Sequence, residues 1–270
     1  MNPERLADAR QTAALIGTRV QLTVPSVLAT GEPFALRISV TGADALPRDD
    51  LPLRLRFEPC PTLEGLPAQC EIPTGTSRIR LDNLRATAPG AVSIEATVGR
   101  TDLDRTEGRL FSNPAWIFDT PPWRIYFGDL HVHTRYSNCS GWRCLDPAWC
   151  YEYARNVSLL DFAAPADHLR GIAADETRWP RLQQLAREFH QPGRFVAFLA
   201  FESSHAQGYG GDNNVYYRND DAPYFWLDRE DMKGIAPKVP LRDLWRWLDG
   251  NHQPYLTIPH HTGRAQKYRA

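Results

Sequence analysis

Hydrophobic and polar positions along the chain follow two rhythms. From Thr18 to about Trp116, short apolar–polar alternations recur in RVQLTVPSV, FALRISVTG, LPLRLRFEP, TSRIRLDNL and AVSIEATVG. Side chains of a strand point alternately to opposite faces, so a period of two predicts strands with one buried face. Turn clusters (TGEP, RDDLP, PTGT, APGA) separate these segments. Strands at this spacing, with no helical pattern between them, predict an antiparallel β-sandwich of immunoglobulin-like type over residues 18–120, behind a tail over 1–17.

The segment FDTPPWRIY then breaks the pattern, because consecutive prolines donate no ladder hydrogen bonds and suit a linker. Beyond it strands alternate with helices. RIYFGDLHVH predicts a strand from Arg124 to His133, and Asp146-Pro147 predicts the start of a helix, AWCYEYARNV. LLDFAAPADH reads as a strand, WPRLQQLAREFH as a helix stopped by Pro192-Gly193, and RFVAFLAFESS and NNVYYR as strands. VPLRDLWRWLDGN predicts an amphipathic helix, and PYLTIPHHTG a last strand. This alternation predicts parallel pairing in an α/β layer or barrel over residues 121–270. Such folds gather functional groups at the carboxyl edge of the strands.

Composition narrows the function classes. With 42% hydrophobic residues over 270 positions, the chain has enough apolar surface for two cores. A net charge of −1 creates no global field for nucleic acid or anionic lipid. No stretch reads as membrane-spanning, and the charged opening MNPERLADAR is unlike a secretory leader, so a cytoplasmic location is expected. The cysteines at 60, 70, 139, 144 and 150 match no CxxC-type zinc spacing, so they are expected to be thiols and not metal ligands.

The candidate chemistry lies at the strand ends. All 8 histidines follow residue 130. Asp129, His131 and His133 alternate along one strand and are expected to share a face. The next strands end in Asp167-His168, in Glu202 and in His260-His261. Imidazole and carboxylate donors repeated at one edge suit Zn²⁺, Mn²⁺ or Fe²⁺, and a polynuclear site activates water for hydrolysis.

The ordered motifs FGDLHVHTRYS, PADH, FES and IPHHTG resemble the polymerase-and-histidinol-phosphatase (PHP) superfamily of metal-dependent phosphoesterases, over about Arg124 to Gly263. The resemblance implies a distorted (β/α)₇ barrel holding two or three divalent ions. It implies His131, His133, His168, Glu202 and either His260 or His261 as metal ligands, with Asp212 in place of a histidine before NVYY. It also implies catalytic roles for Glu202 and Asp167, and phosphate binding by Arg135 or Arg170. Attack by a metal-bound hydroxide on a phosphorylated small molecule is the implied reaction. The superfamily's closing Asp-x-His motif has no counterpart after His261, so an incomplete barrel is expected. The alternatives are a non-catalytic binding module, favoured by the aromatic stretches YYRNDDAPYFW and LWRWLDG, and an inactive fragment.

Overall fold

A computed structural model describes residues 17–103, 105–137, 139, 145–205, 209–225 and 238–260. Of the expected tail, only Gly17 is among them. The chain divides into two units, Met1–Tyr126 with Asn156–Leu159, and Phe127–Arg155 with Leu160–Ala270. Sequence patterning alone places the division after residue 120.

The first unit opens with β1 (Arg19–Thr23), β2 (Val27–Ala29), β3 (Pro33–Thr41) and β4 (Leu53–Phe57). It continues with β5 (Leu63–Glu64), β6 (Gln69–Ile72), β7 (Arg78–Ala86) and β8 (Gly90–Val92). β9 (Glu95–Arg100), β10 (Arg105–Phe111) and β11 (Ala115–Phe118) complete it. Two four-stranded sheets, in the orders β1-β3-β7-β5 and β10-β9-β4-β6, are antiparallel throughout. Leu36 and Ile38 of one sheet share a single core with Leu53, Leu55, Ala96 and Val98 of the other, each at most 0% exposed. Two sheets closing over one apolar layer make a β-sandwich, as period-two patterning requires. A short third sheet, β2-β11-β8, joins parallel and antiparallel pairs. Cys60 and Cys70 are free thiols.

The second unit runs β12 (Gly128–Val132), α1 (Pro147–Asn156), β13 (Phe162–Pro165), α2 (Leu169–Ala173) and α3 (Arg178–Phe189). There follow β14 (Val196–Ala197), β15 (Leu199–Ser204), β16 (Asp212–Tyr217), α4 (Leu241–Gly250) and β17 (Tyr255–Pro259). Asp146 starts α1 by accepting the Ala148 N–H at 2.9 Å, with Pro147 in the first turn, where a missing N–H costs nothing. The single expected strand RFVAFLAFESS is split: β14 pairs in one sheet and β15 in another.

The predicted barrel is corrected here. β12, β13 and β14 are parallel, but β15, β16 and β17 form an antiparallel sheet, so a (β/α)₇ barrel is not formed among the described residues. The physical reason is β16. It returns directly against β15, pairing Leu199 with Tyr217 through to Ser204 with Asp212, and occupies the edge where a crossover strand would lie. Because β16 is flanked by antiparallel partners on both sides, β17 runs the same way as β15.

Alternation along β15 decides what each residue faces. Phe201 and its partner Val215 enter a core with Leu182, Leu244 and Leu248 from α3 and α4. Glu202 and its partner Asn214 turn to the other face, where Ala200 and Tyr216 pack against Ala164 and Ala166. No helix among the described residues is long and apolar enough to cross a membrane.

Candidate metal centre

The site forms where the ends of β12, β13 and β15 meet. Ala166 N donates to Val132 O at 2.9 Å, and Glu202 N donates to Asp167 O at 2.9 Å, which continues the parallel ladder past the formal strand ends. His168 and Glu202 pair across a parallel bridge. His133 therefore follows β12, His168 follows β13 and Glu202 lies within β15, all on neighbouring backbone. β17 delivers His260 to the same edge, its N–H donating to Asp212 O at 2.8 Å. Histidine and carboxylate side chains thus gather at strand ends without the barrel that was expected to place them there.

Glu202 is the hub. Its side chain is 0% exposed, with Oε2 at 2.8 Å from His133 Nε2, 3.1 Å from His168 Nδ1 and 4.0 Å from His131 Nε2. Oε1 lies 4.0 Å from His260 Nε2 and has no hydrogen-bond partner among the described residues. The imidazoles are mutually packed: His131 stacks on His260 with centroids 3.9 Å apart, and His133 lies 4.7 Å from His131 and 4.6 Å from His168. Two groups of converging donors result, His131–Glu202–His260 and His133–Cys139–His168, each with its ligand atoms within 4.8 Å of one another.

The electrostatics follow from burial and from that carboxylate. Burial raises the Glu202 carboxyl, but the His133 hydrogen bond and the His168 and His133 charges outweigh it and leave the pKa lowered. Burial pulls His133 down, yet its bonds to Glu202 and Cys139 reverse this and carry it up to about 9. His131 and His168 end lowered, because burial there exceeds the attraction of Glu202.

The residues present fit a divalent cation. A buried carboxylate oxygen without a partner is costly, and imidazole nitrogens packed around it add donor atoms rather than bulk. A cation held between carboxylate and imidazoles offsets both terms.

Other expected site residues are placed differently. Asp167 is fully buried, and its carboxylate accepts from Thr134 N at 2.7 Å, Thr134 Oγ1 at 2.7 Å and Ser137 Oγ at 2.6 Å. Those bonds occupy it in holding the turn after His133. Asp129 is exposed, and its Oδ1 accepts the His131 N–H, because a register irregularity between Asp129 and Val132 breaks the alternation that was to align it with the histidines. Asp212 is buried at the start of β16, outside both groups of converging donors. Arg135 pairs with Asp146 at 2.8 Å, and Arg170 is exposed on α2. His260 is in the cluster, whereas His261 lies outside the described residues.

Two contributors had no expected role in the site. Asn214 Nδ2 lies 2.9 Å from His131 Nδ1, and Cys139 Sγ lies 2.8 Å from His133 Nδ1. Asn214 reaches the site only through its register opposite Glu202, which local patterning does not carry. Cys139 follows His133 by six positions, a spacing outside the common zinc motifs.

No curated protein matches the chain. Three solved structures cover little more than a third of it. WR4, a Caenorhabditis elegans MSP family member, is 12% identical over 38% of this chain and 98% of its own, with a TM-score of 0.27. The CARDB domain of PF1109 from Pyrococcus furiosus is 13% identical over 38% and 97%, with a TM-score of 0.25. A cohesin module from a Clostridium perfringens family 33 glycoside hydrolase is 14% identical over 37% and 96%, with a TM-score of 0.24. Likenesses this faint carry no argument about function. The expected PHP membership is corrected, because the family model that matches is not one of PHP phosphoesterases. His-x-His and strand-end carboxylates serve metal chemistry on unrelated frameworks, so they do not identify one. The family model that matches, over residues 158–267, is described as a protein of unknown function (DUF3604).

Proposed function

We propose that the second unit is a metal-dependent hydrolase centred on Glu202. The observation behind this reading is a carboxylate sealed from solvent, with one oxygen against His133 and His168 and the other toward His260. His131, His133, His168, Glu202 and His260 would hold the ions. Zn²⁺, Mn²⁺ or Fe²⁺ in such a donor set lowers the pKa of water and polarises the bond under attack.

The chain's own groups prepare the centre. Burial lowers the pKa of His131 and His168 and so favours the neutral rings, whose lone pairs can donate to a cation. The Asn214 amide contacts His131 Nδ1 at 2.9 Å and fixes the orientation of that ring. Thr134 and Ser137, gripped by Asp167, keep the turn after His133 in place.

The expected phosphate-ester substrate rested on the resemblance now corrected, and Arg135 is already paired with Asp146. The ester class therefore has to come from a screen that begins with phosphomonoesters and phosphodiesters and continues to carboxylic esters. The test starts with the bound metal of chain purified without chelators, measured by inductively coupled plasma mass spectrometry beside a His131→Ala/His133→Ala control. Near-stoichiometric metal that the control loses, together with turnover of one ester class, is the expected result. Folded protein without metal overturns the reading. Metal without turnover reduces it to a binding module.

A further inference from the structure

The two halves of the centre differ in chemistry. One half comprises Glu202, His131 and His260, with nitrogen and oxygen donors only: Oε1 lies 4.0 Å from His260 Nε2, and Oε2 lies 4.0 Å from His131 Nε2. The other half comprises His133 and His168, and with them Cys139, whose Sγ is 2.8 Å from His133 Nδ1. Cys139, His133 and His168 each offer a ligand atom, all within 4.8 Å of one another. Cys139 is exposed while both histidines are partly buried, so the thiol approaches from the solvent side of two rings already anchored on Glu202.

We propose that Cys139 is a metal ligand, completing with His133 and His168 a thiolate-containing site that selects zinc, while the half formed by His131, Glu202 and His260 stays a nitrogen–oxygen site. This inference rests on the metal-centre reading above and deepens it by naming the metal preference of one half. Thiolate sulfur is a soft donor and favours Zn²⁺ over Mn²⁺ or Mg²⁺, whereas imidazole and carboxylate tolerate a wider range of ions. Three protein donors from two histidines and a cysteine leave a fourth zinc position open. The step balances simply. The Cys139 S–H bond breaks, its proton leaves to solvent, and the sulfur electron pair forms the bond to zinc with no change of oxidation state. The resulting centre holds two unlike ions, zinc beside Cys139 and a more exchangeable cation beside His260.

The test uses the full chain, stripped of metal and titrated with Co²⁺ without oxygen, beside Cys139→Ser. Cobalt reports sulfur ligation through a near-ultraviolet charge-transfer band and reports nitrogen and oxygen ligation through weaker visible bands. The expected result is both signals in the parent chain, with loss of the charge-transfer band alone in the variant. Visible bands without a charge-transfer band overturn the Cys139 assignment and leave the metal centre standing. A charge-transfer band that survives in Cys139→Ser also overturns it, since another thiol then binds. Folded protein that binds no cobalt overturns the metal centre itself. A second measurement needs no variant: zinc is expected to slow iodoacetamide alkylation of Cys139, read by peptide mass spectrometry. Equal rates with and without zinc count against the ligand.

Discussion

A buried side chain with too few partners and one with all its partners behave oppositely when truncated. Asp167 is of the second kind, since Thr134 and Ser137 supply three donors to its carboxylate at 2.6–2.7 Å. Hydrogen bonds to a buried charge each contribute about 1.5–3 kcal/mol, and their removal strands the donors. Asp167→Ala is therefore expected to cost at least ~3 kcal/mol of stability in urea melts of metal-free protein. Asn214 is of the first kind: Nδ2 holds His131 while Oδ1 lacks a partner among the described residues. In the proposed metal centre its role would be to orient His131 rather than to support the fold. Asn214→Ala is expected to weaken metal binding by about 10–100-fold in chelator competition, and an unchanged affinity would remove it from the site.

At the scale of elements, the histidine edge depends on how closely α2 approaches the turn after β12. Gly171 permits that approach, because a Cβ there would run into the backbone carbonyl of Tyr136. The obstacle is main chain and cannot rotate away, so Gly171→Ala must move either α2 or the turn at Thr134–Ser137. A loss of ~1–3 kcal/mol is expected in denaturant titration, as for other overpacked positions, together with weaker metal binding because His133 and His168 bound that contact. Helix α1 supplies a contrast in thiol chemistry. Cys150 is buried on it, and burial with the nearby charges of Asp167 and Asp129 raises its pKa to about 12. At pH 8, four units below that value, the thiolate is scarce. Cys150 is expected to resist iodoacetamide in the native chain and to react once the chain is unfolded. Alkylation at equal rates in the two states would refute this.

For the whole molecule, each unit carries its own apolar core, one around Leu36, Leu55 and Val98 and another around Phe201, Val215 and Leu244. Two cores predict two transitions in scanning calorimetry. The candidate ligands all belong to the second unit, so Zn²⁺ is expected to raise the second transition alone, by about 2.7 kcal/mol at a hundredfold excess over Kd. Leu55→Ala is expected to lower the first transition by about 2–5 kcal/mol and leave zinc binding unchanged. A zinc effect on the sandwich transition would mean that ligands come from outside the second unit.

What the sequence determined by itself was local. Alternation in FALRISVTG and LPLRLRFEP made half-buried strands because side-chain direction has a period of two. Asp146-Pro147 marked the start of α1 because a cap and a fixed φ act within one turn. The histidines and Glu202 were visible as polar groups where apolar runs ended. Tertiary structure alone decided the rest, because it depends on pairing between distant segments. The antiparallel return of β16 replaced the expected barrel and set Asn214 opposite Glu202. One register irregularity before Val132 left Asp129 in solvent while His131 reached the centre. The fold brought Cys139 to His133 and occupied Asp167 with Thr134 and Ser137, because a donor's role depends on which atoms lie within 3 Å of it, and chain order does not encode that distance.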